Sequence, residues 1–168
     1  MIPAIRKILY TTDLSPNSDY AFRYAINSAK QHDANIIILH VLEEISEMSL
    51  VMLSSDLVGA QRKKISEEAM VQIKNRLKLF CEKELKNNPD CAKRVESIEV
   101  LEGYPAEVIL READILNCDV IVMGSHGKGI ISQTFIGSVT KRVLRRTRKP
   151  VFIVPLPKGE TDINVLDI

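Results

Sequence analysis

The chain has 168 residues, 45% hydrophobic and 27% charged, which fits one globular domain and excludes disordered and collagen-like architectures. With 23 basic against 22 acidic side chains the formal net charge is +1, so nothing draws the whole molecule to nucleic acid or an anionic membrane. The three cysteines, Cys81, Cys91 and Cys118, form no CxxC pair and argue against a disulfide framework or zinc site; no apolar run reaches the ~18 residues of a membrane span, and the opening MIPAIRKILYTTD meets an acid too early for a signal peptide, so a cytoplasmic protein is expected.

Short β-branched runs alternate with longer stretches of helical period along the chain, the pattern of an α/β fold. The first strand is predicted over 7–12. Ser15 then caps a helix whose first position is Pro16, and Phe22, Ala25, Ile26 and Ala29 share its apolar face. A second strand over 35–42 contains Ile36, Ile37, Ile38 and Leu39 without polar alternation, so helices are expected on both faces of the sheet. Residues 44–60 carry Met48, Leu50, Val51, Met52 and Leu53 without clear period; they read as an insertion, either a surface loop or a lid. A long helix follows over 61–86, with Ile65, Ala69, Ile73, Leu77 and Phe80 at helical spacing. Strands over 95–101, 118–124 and 151–155 complete the set, with Pro105 opening the helix after the third strand. Residues 1–157 form the expected domain and 158–168 a tail.

The segment Gly124-Ser125-His126-Gly127-Lys128-Gly129 follows the fourth strand, and Gly137-Ser138-Val139 opens the next helix. Glycines let backbone amides approach a ligand closely and permit positive φ, while a helix start adds unpaired N–H groups and the positive end of its dipole, an arrangement suited to phosphate. The P-loop motif is absent, since Ile130-Ile131 follow Gly129, and the dinucleotide fingerprint is absent, since Ser132 stands where its third glycine belongs. What the segment satisfies is G-x2-G-x9-G-[ST], at Gly124, Gly127, Gly137 and Ser138.

This signature resembles that of the ATP-binding subgroup of the universal stress protein A family. The flanking runs Asp119–Met123 and Lys149–Pro155 agree with it, as do Lys7–Asp13 with Ser15, Leu39-His40-Val41 and Gly103-Tyr104-Pro105-Ala106, so the likeness covers nearly the whole chain. It implies a single open, doubly wound five-stranded parallel sheet of order 3-2-1-4-5, of the adenine nucleotide alpha hydrolase-like kind. The nucleotide, ATP, ADP or AMP with any Mg²⁺ carried along, would lie where the first and fourth strands separate. By position Thr12 and Asp13 would face ribose or base and the Val41 backbone the adenine edge. Met123, Gly124, His126 and Gly127 would border ribose and phosphate, and Gly137, Ser138 and Val139 would donate to phosphates. The family also implies a homodimer, here through the last strand, where Val151, Phe152, Ile153 and Val154 make an apolar edge that needs cover.

Each assignment has a plainer reading beside it. Asp13 in Asp-x-Ser-Pro is also good turn chemistry, His126 can touch phosphate or face solvent, and His40 reads as a satisfied rim histidine. The basic run Lys141, Arg142, Arg145, Arg146, Arg148 and Lys149 suits a helix C-terminus and carries no interleaved aromatic, so nucleic acid is not the expected partner. No G-x-S-x-G elbow, Cys/His arrangement or carboxylate cluster is evident, and the expectation is a nucleotide-binding regulatory module of the stress response rather than a fast enzyme. The alternative is an adenylyl- or phosphoryl-transferring enzyme, a slow ATPase or a self-phosphorylating chain with Ser132 or Thr134 as acceptor.

Overall fold

The computed structural model describes residues 2–43, 58–127 and 136–155. Its strands are β1 (Lys7–Thr12), β2 (Asn35–Leu42), β3 (Val95–Glu102), β4 (Val120–Gly124) and β5 (Val151–Val154). They form one sheet of order β3-β2-β1-β4-β5 in which every pairing is parallel. The helices are α1 (Pro16–His32), α2 (Val58–Leu85), α3 (Pro89–Ala92), α4 (Pro105–Ile115) and α5 (Ser138–Arg146).

Strand alternation builds two cores. Ile8, Tyr10, Ile36, Ile38, Val120 and Val122 face one side, under Phe22, Ala25 and Ala29 of α1 and Leu77, Cys81 and Leu85 of α2. Leu9, Ile37, Leu39, Ile121 and Met123 face the other, under Val108, Ile109 and Ala113 of α4 and Val143 of α5. Each of the large aliphatic or aromatic side chains contributes about 1.5–3 kcal/mol when fully buried, and the middles of these strands lack polar alternation because both faces are covered. Rings continue the first core outwards, with centroids 5.2 Å apart from Tyr10 to Phe22 and 5.2 Å from Phe22 to Phe80.

The caps follow the sequence. Ser15 accepts the Ser18 amide at 3.3 Å while Ser18 Oγ accepts the Ser15 amide at 3.1 Å, a reciprocal capping box ahead of Pro16. Several boundaries differ from expectation. β4 starts at Val120 because the residues before it serve other ends: the Cys118 amide closes α4 on the Ala113 carbonyl, and the Asp119 carboxylate accepts the Arg6 and Lys7 amides at 2.8 and 2.9 Å. α2 begins at Val58, earlier than predicted, and Ile65 lies on its outer side, 63% exposed, so helical spacing alone misplaced it in the core. α3 was not foreseen. The rest of the insertion over 44–57, the loop over 128–135 with Ser132 and Thr134, and the tail over 158–168 lie outside the described residues.

β1 leads into α1 on one face and neighbouring β4 leads into α5 on the other. The chain therefore parts at the carboxyl ends of these two strands, the topological switch point where open α/β sheets hold ligands.

Candidate functional site

A cavity of about 480 Å³ opens at that point. Thr12, Asp13 and Val41 line it from the ends of β1 and β2, Met123, Gly124, His126 and Gly127 from β4 and the following loop, and Gly137, Ser138 and Val139 from the start of α5. All ten residues singled out from the sequence thus meet in one place. Their roles differ from expectation in several cases.

Thr12 is a wall rather than a donor. Its hydroxyl bonds Ser18 Oγ at 2.9 Å and accepts the Leu14 amide at 3.0 Å, and its carbonyl accepts from His40 Nδ1 at 2.8 Å. Asp13 has the turn role and also lines the cavity. Its Oδ1 accepts from Ser15 Oγ at 2.5 Å and the Ser15 amide at 3.1 Å, fixing the turn into α1, while a methyl group on Gly127 would stand 2.5 Å from Oδ2. Val41 gains its importance from where β1 ends. The Leu42 carbonyl accepts the Gly103 amide on the β3 side, so by alternation the Val41 backbone turns to the β1 side, and the last rung there is Thr12 with His40. The Val41 carbonyl lies beyond that rung, directed at the space where β1 has left the sheet.

The glycines work differently from the prediction. None of Gly124, Gly127 and Gly137 adopts positive φ; among the described glycines only Gly103 does, at 146°. Gly124 is short of a side chain because α1 is there: a methyl group would stand 2.5 Å from Asn17 Nδ2. The Gly137 amide is not a phosphate donor either, because it bonds the Ser125 carbonyl at 2.8 Å. Ser125 in turn donates its amide to Val154, and Thr140 Oγ1 donates to the Gly124 carbonyl at 3.1 Å, so the two ends of the loop are held together.

The donors that remain are those of the helix start. The first bond of α5 runs from the Lys141 amide to the Gly137 carbonyl, and Gly137 offers no side-chain cap. The amides of Ser138, Val139 and Thr140 therefore precede the ladder and find no partner among the described residues, nor does that of Gly127. All four residues line the cavity. His126 holds Ser125 Oγ through Nδ1 at 2.7 Å, and its Nε2 is buried without a partner. If Ser125 donates, Nε2 carries the proton and is a buried donor with no partner among the described residues.

Leu39, Ile109 and Met123 give the same cavity an apolar wall, and His40, Thr11, Ser18 and Thr140 also line it. Sequence reasoning gave no site role to Leu39, Ile109, Thr11, Ser18 and Thr140, and read His40 only as a satisfied rim histidine. The signal for Leu39 was available, since it shares a strand face with Val41. Behind the site, burial pushes the Asp19 carboxyl up to about 6, with Asp13 and Glu84 adding to the effect and Arg23 opposing it; one of its oxygens is buried unpartnered. Among the described residues no group of three His, Cys, Asp or Glu side chains is placed to hold a metal ion, and no helix is long and apolar enough to cross a membrane. On α5, Arg146 pairs with Glu107, and Lys149 reaches Asp114 at 3.6 Å, so part of the basic run serves contacts with α4.

The universal stress protein family model matches residues 4–155. Universal stress protein MJ0577 of Methanocaldococcus jannaschii is 32% identical over 153 residues, covering 89% of this chain and 94% of that one. A solved structure of MJ0577 superposes with a TM-score of 0.72 at 26% identity, over 94% of this chain and 100% of that chain. A universal stress protein of Archaeoglobus fulgidus, solved in complex with dAMP, shares the fold at a TM-score of 0.51 and 17% identity, over 92% of this chain and 99% of that chain. With its sheet order, its glycine signature and these matches along nearly its whole length, the chain belongs to the universal stress protein family.

Proposed function

We propose that this stress-response protein binds an adenine nucleotide, ATP, ADP or AMP, and acts as a regulatory module in the cytoplasm rather than as a fast enzyme. The observation that carries the reading is the set of unpartnered amides at Gly127, Ser138, Val139 and Thr140 around a cavity whose other wall is apolar. Three or four charge-assisted hydrogen bonds at about 1.5–3 kcal/mol each reach the roughly 8 kcal/mol of micromolar binding before ordering is subtracted. Phosphate alone is therefore marginal, and the remainder comes from a flat apolar base against Leu39, Ile109 and Met123, with the Val41 carbonyl accepting from its amino group. The Archaeoglobus protein shares only the fold, and its dAMP is an adenine nucleotide of the size this cavity would take. Any Mg²⁺ would travel on the phosphates and keep several waters.

The Ser125 and His126 pair supports a role without fast chemistry. The hydroxyl and imidazole touch, yet among the described residues no carboxylate orients the imidazole from behind, since Nε2 finds no partner there. A transferring enzyme or self-phosphorylating chain is the competing reading, and rapid ATP turnover with an added acceptor would favour it. The active form is proposed to be a homodimer through β5, where Phe152 is 48% exposed with its ring 6.1 Å from that of Tyr24, itself 41% exposed. Nucleic acid is not the proposed partner. The test is to denature purified protein, extract it and separate the extract by chromatography, then titrate refolded protein calorimetrically with ATP, ADP and AMP. Released adenine nucleotide or saturable heat is expected. An empty extract and no heat with any of the three would refute the proposal.

A further inference from the structure

Asn17 is the second residue of α1, and its side chain does nothing for that helix. Ser15 is the cap, and the Asn17 carboxamide makes no capping bond. The residue is nonetheless only 6% exposed. Its carboxamide lies across the last residue of β4, where a methyl group on Gly124 would stand 2.5 Å from Nδ2 and 3.1 Å from Cγ. Beyond Gly124, Nδ2 donates to the His126 carbonyl at 2.8 Å. The other amide atom, Oδ1, is buried with no partner. An unpaired buried acceptor is destabilising, so stability alone would favour an apolar side chain here.

A trans peptide holds its C=O and N–H on opposite sides. Drawing the His126 carbonyl towards α1 therefore turns the Gly127 N–H away from α1. The Gly127 nitrogen lies 3.7 Å from where a Gly137 Cβ would stand, on the side where α5 begins. We propose that Asn17 is a positioning residue for the phosphate end of the cavity: by tethering the His126 carbonyl it aims the Gly127 amide at the same anion as the amides of α5. Gly124 is glycine so that this tether can pass. Asn17 acts through His126 and Gly127, which line the cavity as it does not. The inference rests on the nucleotide reading and adds that the tether matters only to ligands carrying phosphate.

Asn17→Leu removes the donor and the orphaned acceptor at similar size. The expected result is an unliganded Tm equal to or above wild type, AMP and ATP bound about tenfold more weakly, and adenosine within about twofold, as for one lost charge-assisted bond. Unchanged AMP affinity, or equal losses for adenosine and AMP, would overturn the tether. A second arm needs no ligand and serves if the leucine variant does not fold. Gly124→Ala should lower Tm in the wild-type background and lower it much less in an Asn17→Ala background, where the atom it meets is gone; equal drops would overturn the packing half of the argument. Wild-type protein that binds neither adenosine nor AMP would overturn the nucleotide reading and this inference with it. Wild-type protein that binds both, with an Asn17→Leu variant that still holds AMP as tightly, would overturn this inference alone.

Discussion

Replacing Ser138 by proline removes donors from the start of α5 without asking the backbone to move. Ser138 is the first helical residue, and the ladder starts only with the Lys141 amide on the Gly137 carbonyl, so the Ser138 amide has no helical acceptor to lose. Gly137 already has φ −56° and ψ 152°, the extended conformation preferred before proline. Stability should therefore hold or rise by about 0.4–1 kcal/mol, because proline restricts the unfolded chain. The loss falls on the ligand. One charge-assisted bond is worth about 1.5–3 kcal/mol, so removing the amide weakens AMP or ATP binding by at least about tenfold, and removing the hydroxyl in the same change takes it further. Ser138→Ala isolates the hydroxyl. Calorimetric titration with ATP, AMP and adenosine at one fixed salt concentration, with Tm measured on unliganded protein, separates the terms: Ser138→Pro should keep its Tm and its adenosine affinity and lose AMP. A proline variant that folds normally and binds AMP as tightly as wild type would refute the role given to the helix start.

Other perturbations reach other parts of the account. Burial raises the Asp19 carboxyl from 3.8 to about 6, so in the folded protein the neutral form is favoured; its contribution to stability is full below pH 3.8 and is lost as pH rises through 6. At about 1.4 kcal/mol per pH unit the loss is on the order of 3 kcal/mol, and Asp19→Asn should flatten the pH dependence of denaturant unfolding between about 4 and 6 and be the more stable protein at pH 7; a variant with the wild-type slope would contradict this. Gly127→Ala sets a methyl group 2.5 Å from Asp13 Oδ2 and must displace that carboxylate from its turn, so a destabilisation of about 1–3 kcal/mol together with weaker nucleotide binding is expected. Unchanged Tm and affinity would show that the approach relaxes freely. Phe152→Asp puts a charge on the β5 edge and should convert the proposed dimer to monomer in sedimentation experiments, whereas wild-type protein that is itself monomeric at micromolar concentration would sink the dimer.

What could be read from the sequence was what local chemistry determines. The start of α1 was legible because Ser15 and Pro16 act within one turn, and β2 and β4 because two buried faces leave an unbroken apolar run at 36–39 and 120–123. The site was located because glycine spacing and a helix start coincide after a buried strand. The reasons for individual glycines were not legible, since they depend on partners far along the chain: Gly124 yields to Asn17, Gly127 to Asp13, and the Gly137 amide belongs to Ser125. Ile65 followed the helical period but is exposed on the outer side of α2, a placement that periodicity cannot see. His40 was correctly read as a satisfied histidine, through Thr12, yet it also borders the cavity, a place that only the end of β1 one register step away could reveal.

The most direct test of the account follows backbone amides one by one. In ¹⁵N-labelled protein titrated with AMP, the amide signals of Gly127, Ser138, Val139 and Thr140 should show the largest shifts and saturate together, while adenosine should leave those four nearly still and move signals around Val41 instead. Saturating AMP that leaves all four in place, or adenosine that moves them as far as AMP does, would contradict it.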